Sequence, residues 1–368
     1  MSHGRKALFL NWRDPWHPRS GGAELVTLRV AERLVRRGWS VEWFSAAYAG
    51  APPEERRFGI DFVRSGSAAT VHLEAVRRYA RAGIADFHVA VDQINTIPFF
   101  TPSYLRIPKV AFFHQLAREV WFYESRFPVN LLGYAAEPIY LQAYRRTPII
   151  TVSKSSAASL AALGLNGPIH VIPEAVDESP DEAVPPKTTD VDIVVVGRVA
   201  PSKRIEFSIA AAELLQARGW RGVLHIVGTG ESHYLRRLST LAGRSLGSQV
   251  HFHGRVSDAE RTTLLRDASV LWMTSVREGW GLVVTEAARH GTPAVVFDVP
   301  GLRDSVRDGI TGLVVRPDAR ALADATRQLL EDRSAFAARA LADSRSYDWE
   351  ATTDAFEAVL SRYAATAI

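Results

Sequence analysis

Two acidic residues, Glu278 and Glu286, flank a glycine-bracketed turn in the stretch REGWGLVVTEA. The apolar run SVLWMTS before it reads as a strand, and LVVTEAARHG after it as a helix capped by Gly291. The amides of Gly281, Leu282 and Val283 then open the helix without intrahelical partners, and can hold phosphate oxygens or sugar hydroxyls. Glu286 follows about four residues later, roughly 6 Å along the axis at 1.5 Å per residue. That offset suits a ribose beside a phosphate, because a carboxylate accepts hydrogen bonds from two vicinal hydroxyls. Glu278 would face the other side of the diphosphate, where an attached sugar sits. Taken singly, Glu286 complements a helix dipole and Glu278 is a surface acid. The joint arrangement is not explained that way.

A second loop, in VVVGRVAPSKR, puts Arg198 directly after the strand-ending Gly197 and Lys203 near the next helix start, with Ser202 as a candidate N-cap. Both cations can reach one point above the strand end, where the helix dipole also favours an anion such as a diphosphate. Two solvated basic residues are the plainer reading. A third loop, NWRDPWHPRSGGAE, ends in Gly21 and Gly22 before a helix, where glycine lets the backbone approach a ligand or simply makes a turn. It is neither a GxGxxG fingerprint nor a P-loop, which argues against a nicotinamide dehydrogenase or a P-loop NTPase. His114 ends the strand-like run KVAFFH, placed to hydrogen-bond a sugar or share in proton transfer. No metal site is expected. His251 and His253 alternate along a strand without forming a convincing ligand pair, and Asp190 and Asp192 read as solvated.

The 368 residues are too many for one ordinary core and suggest two domains. With 47% hydrophobic and 23% charged residues, the composition is that of a globular protein. A net charge of +4 suits an anionic ligand but is too small and dispersed to indicate nucleic acid. The absence of cysteine excludes disulfides, thiolate metal sites and a Cys nucleophile. The first residues lack a signal-peptide pattern and no stretch reaches the ~20 apolar residues of a membrane span, so a cytoplasmic protein is expected.

Strand-like runs alternate with helical ones in both halves, implying parallel sheets covered on both faces. KALFLNW, VEWFSA, GIDFV, FHVAVD, KVAFFH, PIITVS and PIHVIP precede an acidic, proline-rich linker from Glu174 to Asp190. VDIVVVG, GVLHIVG, QVHFHG, SVLWMTS and PAVVFD follow it. The expectation is an α/β chain of two doubly wound, Rossmann-like domains facing a cleft, over 1–180 and 190–346, with a terminal helix over 347–368. Ligands of such sheets bind beyond the carboxyl ends of the strands, where these loops lie.

Taken together, GGAE, His114 after VAFF, VGRVAPSKR and the E-x7-E spacing of Glu278 and Glu286 resemble the retaining glycosyltransferases of family 4, which have the GT-B fold. YDWEATTDAFEAVLSRY resembles that family's closing helix, which crosses back to the N-terminal domain. The resemblance implies that 1–180 is the acceptor-binding domain and 190–346 the nucleotide-sugar-binding domain, that Arg198 and Lys203 hold the donor diphosphate with the Gly22 amide, and that Glu286 binds the ribose. Glu278 and the amides from Gly279 through Trp280 and Gly281 would hold the donor sugar, Val256 would contact the base, and His114 would touch the sugar near the reacting carbon. It implies transfer without metal or other cofactor, with retention, through an oxocarbenium-like transition state in which cationic groups stabilise the departing diphosphate. A front-face displacement is expected, since no carboxylate stands out as a nucleophile. Glu174 and Ala175 depart from the Asn-Gly that often follows VIP, and Trp280 stands where Phe is common.

The expected partners are a nucleoside diphosphate sugar of mannose, glucose or N-acetylglucosamine type and a carbohydrate or lipid-linked acceptor. The aromatic stretch Arg118 to Arg146 suits peripheral contact at the inner membrane face or, equally, buried helices. A sugar-nucleotide epimerase of the same fold and a non-catalytic nucleotide-sugar-binding subunit are the alternatives.

Overall fold

The computed structural model describes residues 4–80, 84, 86–177, 183–184 and 191–364. They form two compact units: Met1–Ala117 with Ala135–Ala175 and Trp349–Ile368, and Arg118–Tyr134 with Val176–Asp348. The chain runs β1 (Lys6–Leu10), α1 (Gly22–Arg36), β2 (Ser40–Ser45), β3 (Glu54–Arg57), β4 (Ile60–Arg64), α2 (Val71–Tyr79), β5 (Val89–Ile94), β6 (Lys109–Phe113), α3 (Val120–Glu124), α4 (Val129–Leu141), β7 (Ile149–Thr151), α5 (Lys154–Ala162) and β8 (Ile169–Val171). It continues through β9 (Ile193–Val196), α6 (Ile205–Gln216), β10 (Leu224–Val227), α7 (Ser232–Ser245), β11 (Val250–Gly254), α8 (Asp258–Asp267), β12 (Val270–Met273), α9 (Leu282–Arg289), β13 (Ala294–Phe297), α10 (Leu302–Ser305), β14 (Gly312–Val315), α11 (Ala319–Glu331), α12 (Arg333–Ser344) and α13 (Trp349–Ala364).

The first unit holds an eight-stranded sheet in the order β3-β4-β2-β1-β5-β6-β7-β8. All its pairs are parallel except β3 with β4. Continuous apolar runs make its inner strands, because parallel strands are covered on both faces; Ala7 to Leu10 and Val89 to Val91 are fully buried. Edge strand β3 is the sequence EERR, too polar to be read as a strand from its residues, and three of its four residues are exposed. Helix α13 packs in this unit. The Phe356 ring lies 6.2 Å from Phe9 and 5.4 Å from Phe112, and Arg37, the C-cap of α1, pairs with Glu350 at 2.6 Å and Glu357 at 2.9 Å.

The second unit holds a six-stranded sheet in the order β11-β10-β9-β12-β13-β14, parallel throughout. Its core joins Val194, Leu271, Trp272 and Val295 to Ile209, Leu322 and Leu329 on the helices. From β9 the chain first builds outward through β10 to β11, then returns to lay β12 on the other side of β9. The loops after β9 and β12 therefore diverge to opposite faces and leave a crevice between them, the switch point where such sheets bind ligands.

Several expectations are corrected here. Residues 118–134, read as part of the first domain, group with the second unit. The linker reading begins too early, since Glu174, Ala175 and Val176 are buried; of the rest, 178–182 and 185–190 lie outside the described residues. Ser202 does not cap a helix: α6 starts at Ile205 behind Arg204, which takes a left-handed conformation at φ 50°. β3 and β14 were not anticipated. Among the described residues no helix is long and apolar enough to cross a membrane.

Candidate active site

Arg198 and Lys203 leave the carboxyl end of β9 as expected, and Gly197, Arg198, Lys203, Thr274 and Ser275 line one hollow at the switch point. The loop is laced to its neighbour after β12. Arg204 donates to the carbonyls of Thr274 at 2.9 Å and Ser275 at 2.6 Å, the Thr274 hydroxyl donates to the Lys203 carbonyl at 2.7 Å, and the Val276 amide to the Ser202 carbonyl at 2.8 Å. The left-handed turn at Arg204 aims its guanidinium back at those carbonyls.

Each cation already has an anion. The Lys203 ammonium binds the Glu278 carboxylate, whose Oε1 also accepts from the Ser275 hydroxyl at 2.6 Å. Arg198 pairs at 2.6 Å with Glu124 at the end of α3, and the Ser202 hydroxyl donates to the same carboxylate. Burial would raise the Glu124 carboxyl, but the hydrogen bonds from Arg198 and Ser202 outweigh it and hold it below the usual range. Glu124 was not singled out from sequence; nothing in WFYES marks it, and only the fold brings α3 to this loop.

The Glu278 loop is fixed from below. The Glu278 amide donates to the Pro300 carbonyl at 3.0 Å. Gly301, at φ 86°, lies so close that a Cβ there would fall 2.2 Å from the Glu278 carbonyl oxygen. Glycine is required at that contact for both space and conformation, a second feature the sequence reading missed. Gly281 caps α9 in the left-handed region at φ 96°, and Leu282 and Val283 form the first turn, whose amides lie outside the helical ladder. Gly279 sits between the Glu278 carboxylate and this cap. The Trp280 ring is buried, 5.2 Å from Tyr347, and its Nε1 donates to the Thr285 hydroxyl at 3.0 Å, so the side chain anchors the turn from inside and leaves the backbone amide as the group it can offer.

Glu286 stands on the second turn of α9, where Arg261 of α8 donates to its Oε2 at 2.7 Å. Burial lifts its carboxyl above the ordinary range, against the pull of Arg261 and with help from Asp177 and Asp258. Val256 lies in the loop between β11 and α8, packed partly against the core.

The remaining predicted residues belong to the first unit. His114 follows β6 and is buried; its Nδ1 is 3.1 Å from Glu174 Oε1, its ring centroid is 4.0 Å from Phe112, and its Nε2 has no partner among the described residues. Glu174, read from sequence only as a departure from Asn-Gly, is thus the residue that orients this imidazole. Gly21 is the N-cap of α1, but its amide already donates to Glu24 Oε2 at 2.8 Å. Of the glycine pair only Gly22, the first residue of the helix, keeps an amide free of that capping box. Glu24 itself is fully buried and held by Arg13 at 2.9 Å and Asn95 at 3.2 Å, a structural hub rather than a ligand group.

Comparison with known proteins agrees with this geometry. A model described as Glycosyltransferase Family 4 matches residues 20–179, and one described as Glycosyl transferases group 1 matches residues 190–332. The chain belongs to the family 4 glycosyltransferases. A D-inositol 3-phosphate glycosyltransferase of Nocardia farcinica is 34% identical over 183 residues, 47% of this chain and 40% of that protein. The chain spans less than half the length of the curated glycosyltransferases and glycogen synthases it matches. The solved structure of a sucrose-phosphate synthase from Thermosynechococcus elongatus covers 99% of this chain and 100% of its own at a TM-score of 0.82 and 20% identity. Anabaena HepE, solved with UDP-glucose, covers 97% of this chain and 99% of its own at 0.72 and 19%. At those identities the likeness establishes the fold, which is GT-B.

The Glu286 environment yields a pH prediction. A carboxyl lifted by folding binds its proton more tightly in the folded than in the unfolded chain. It therefore contributes stability that is lost as pH rises from the ordinary carboxylate value through the raised one. Glu286→Gln removes that titration, so the variant should gain on the wild type in urea unfolding across this window and hold a constant lead above it. A difference independent of pH from about 4 to 8 would contradict the assignment.

Proposed function

We propose that the chain transfers a hexosyl group from a nucleoside diphosphate sugar to a hydroxyl acceptor, with retention of configuration and without a metal ion. The observation that carries this is the grouping of Arg198, Lys203, Glu278 and the first amides of α9 at the switch point, with Glu286 one helical turn beyond. Cations and amides match the diphosphate, and Glu286 matches the ribose diol. Arg198 and Lys203 would stabilise charge on the departing diphosphate. Val256 would meet the base, and Glu278 with the amides of Gly279 and Trp280 the sugar. His114 would touch the reacting sugar; its Nδ1 is held by Glu174, and its Nε2 has no partner among the described residues. Because Anabaena HepE was solved with UDP-glucose, that donor is the first to test.

For the acceptor, the favoured class is a lipid-linked or membrane-surface hydroxyl. Phe122, Phe127, Leu131, Leu132 and Ile139 are exposed on and between α3 and α4, with Phe127 79% and Ile139 74% accessible. Such a run of large apolar side chains suits an apolar partner. An epimerase would release nucleoside diphosphate without an acceptor, and a silent binding subunit would release none.

Thermal unfolding with UDP, GDP, ADP and their sugars tests the donor reading. At ~100 times Kd the matching nucleotide should add roughly 2.7 kcal/mol. Lys203→Ala should weaken its binding at least about tenfold, which is 1.4 kcal/mol. Full affinity in that variant would move the diphosphate elsewhere. For the catalytic step, His114→Ala should slow nucleotide release by roughly 10²-fold while nucleotide affinity stays close to wild type. Glu174→Gln, which keeps an acceptor for Nδ1, should lose less. Wild-type turnover in His114→Ala would remove the imidazole from the reaction.

A further inference from the structure

The second sheet ends on β11, and on one face of that edge three imidazoles meet. His225 on β10 is in register with His251 on β11. The register then shifts between Ile226 and Val227, so that Val227 pairs with Gly254 and His253 becomes the extra residue beside them. Ring centroids lie 5.9 Å apart for His225 and His251 and 5.2 Å for His225 and His253. One nitrogen from each ring can be chosen so that all three lie within 4.8 Å of one another.

The ring nitrogens are also oriented. Nδ1 of His225 and Nε2 of His253 face each other at 2.9 Å. The other nitrogen of His225, Nε2, lies 3.6 Å from Asp192 Oδ2, and Asp192 is itself fixed by the Val223 amide at 2.8 Å. A carboxylate at that nitrogen favours the proton there and leaves the Nδ1 lone pair turned toward His253, the arrangement by which carboxylates orient metal-binding imidazoles.

We propose that His225, His251 and His253 bind a divalent transition-metal ion of the zinc class, oriented by Asp192, and that the ion clips edge strand β11 to β10. Imidazole selects zinc, nickel or copper over magnesium and calcium, which prefer oxygen. Zinc–nitrogen bonds of about 2.0–2.1 Å would set the ligand nitrogens roughly 3.4 Å apart. The His225–His253 pair would open slightly from 2.9 Å and His251 would swing in by ring rotation, for which its exposure leaves room. The proposal stands apart from the donor reading: none of these side chains belongs to the loops after β9 or β12.

The test is calorimetric titration of the full, untagged chain with Zn²⁺, with the visible spectrum of the Co²⁺ complex as a report on the ligands. Expected are one ion per chain and cobalt bands of a nitrogen-rich site. His251→Ala, an exposed change, should weaken binding by about a hundredfold or more, and Asp192→Asn by the roughly tenfold typical of a lost outer partner. His225→Gln with His253→Gln should abolish it, with circular dichroism confirming the fold. Absence of binding to the wild type overturns the proposal. So does binding that persists unchanged in His251→Ala and in the double variant, which would place the ion elsewhere.

Discussion

Lys203 and Arg198 stand together at the carboxyl end of a parallel sheet, and α9 starts from the neighbouring loop with the positive end of its dipole. Such a concentration holds together only with counter-charge. The chain supplies it from two directions, Glu278 to Lys203 and Glu124 to Arg198. The surrounding structure serves that arrangement. Arg204 and Thr274 tie the two loops together, Gly301 lets α10 pass close beneath Glu278, and Trp280 pins the turn from the interior.

A site neutralised internally is also a site ready for exchange. A diphosphate brings more negative charge and more acceptor oxygens than one carboxylate, so it can displace Glu124 from Arg198. Glu278, freed in part from Lys203 but still bonded to Ser275, would turn to sugar hydroxyls. Glu286 is held differently, on a helix and against Arg261 in a half-buried setting that disfavours its charge. That is a cost in stability of the kind binding sites carry. Under the proposed function, such an exchange would turn an ion-pair network that adds little to folding into a device for recognition.

The parallel sheets and most of their strands were legible because buried parallel strands are continuous apolar runs and the turns after them carry glycine. Arg198, Lys203, Glu278 and Glu286 were legible because each sits a fixed number of residues from a strand end or helix start. What escaped was set by contacts between distant segments. Glu124 reaches Arg198 across 74 residues of sequence, and Glu174 reaches His114 across 60. The imidazole cluster needed His225 from one strand and His251 and His253 from the next, so no local spacing could disclose it. β3, with the sequence EERR, escaped because an exposed edge strand has no apolar period. That the Trp280 ring turns inward was likewise hidden, because its partners Thr285 and Tyr347 are set by the fold.

The central claim is that Glu124 and the donor diphosphate compete for Arg198. The most direct measurement is the dissociation constant of the matching nucleoside diphosphate for the wild type and for Glu124→Gln, at one ionic strength. Removing the competing charge should tighten binding, by about fivefold if the exposed Arg198 pair is worth 1 kcal/mol. Unchanged or weaker binding in Glu124→Gln would contradict the account and place the diphosphate away from Arg198.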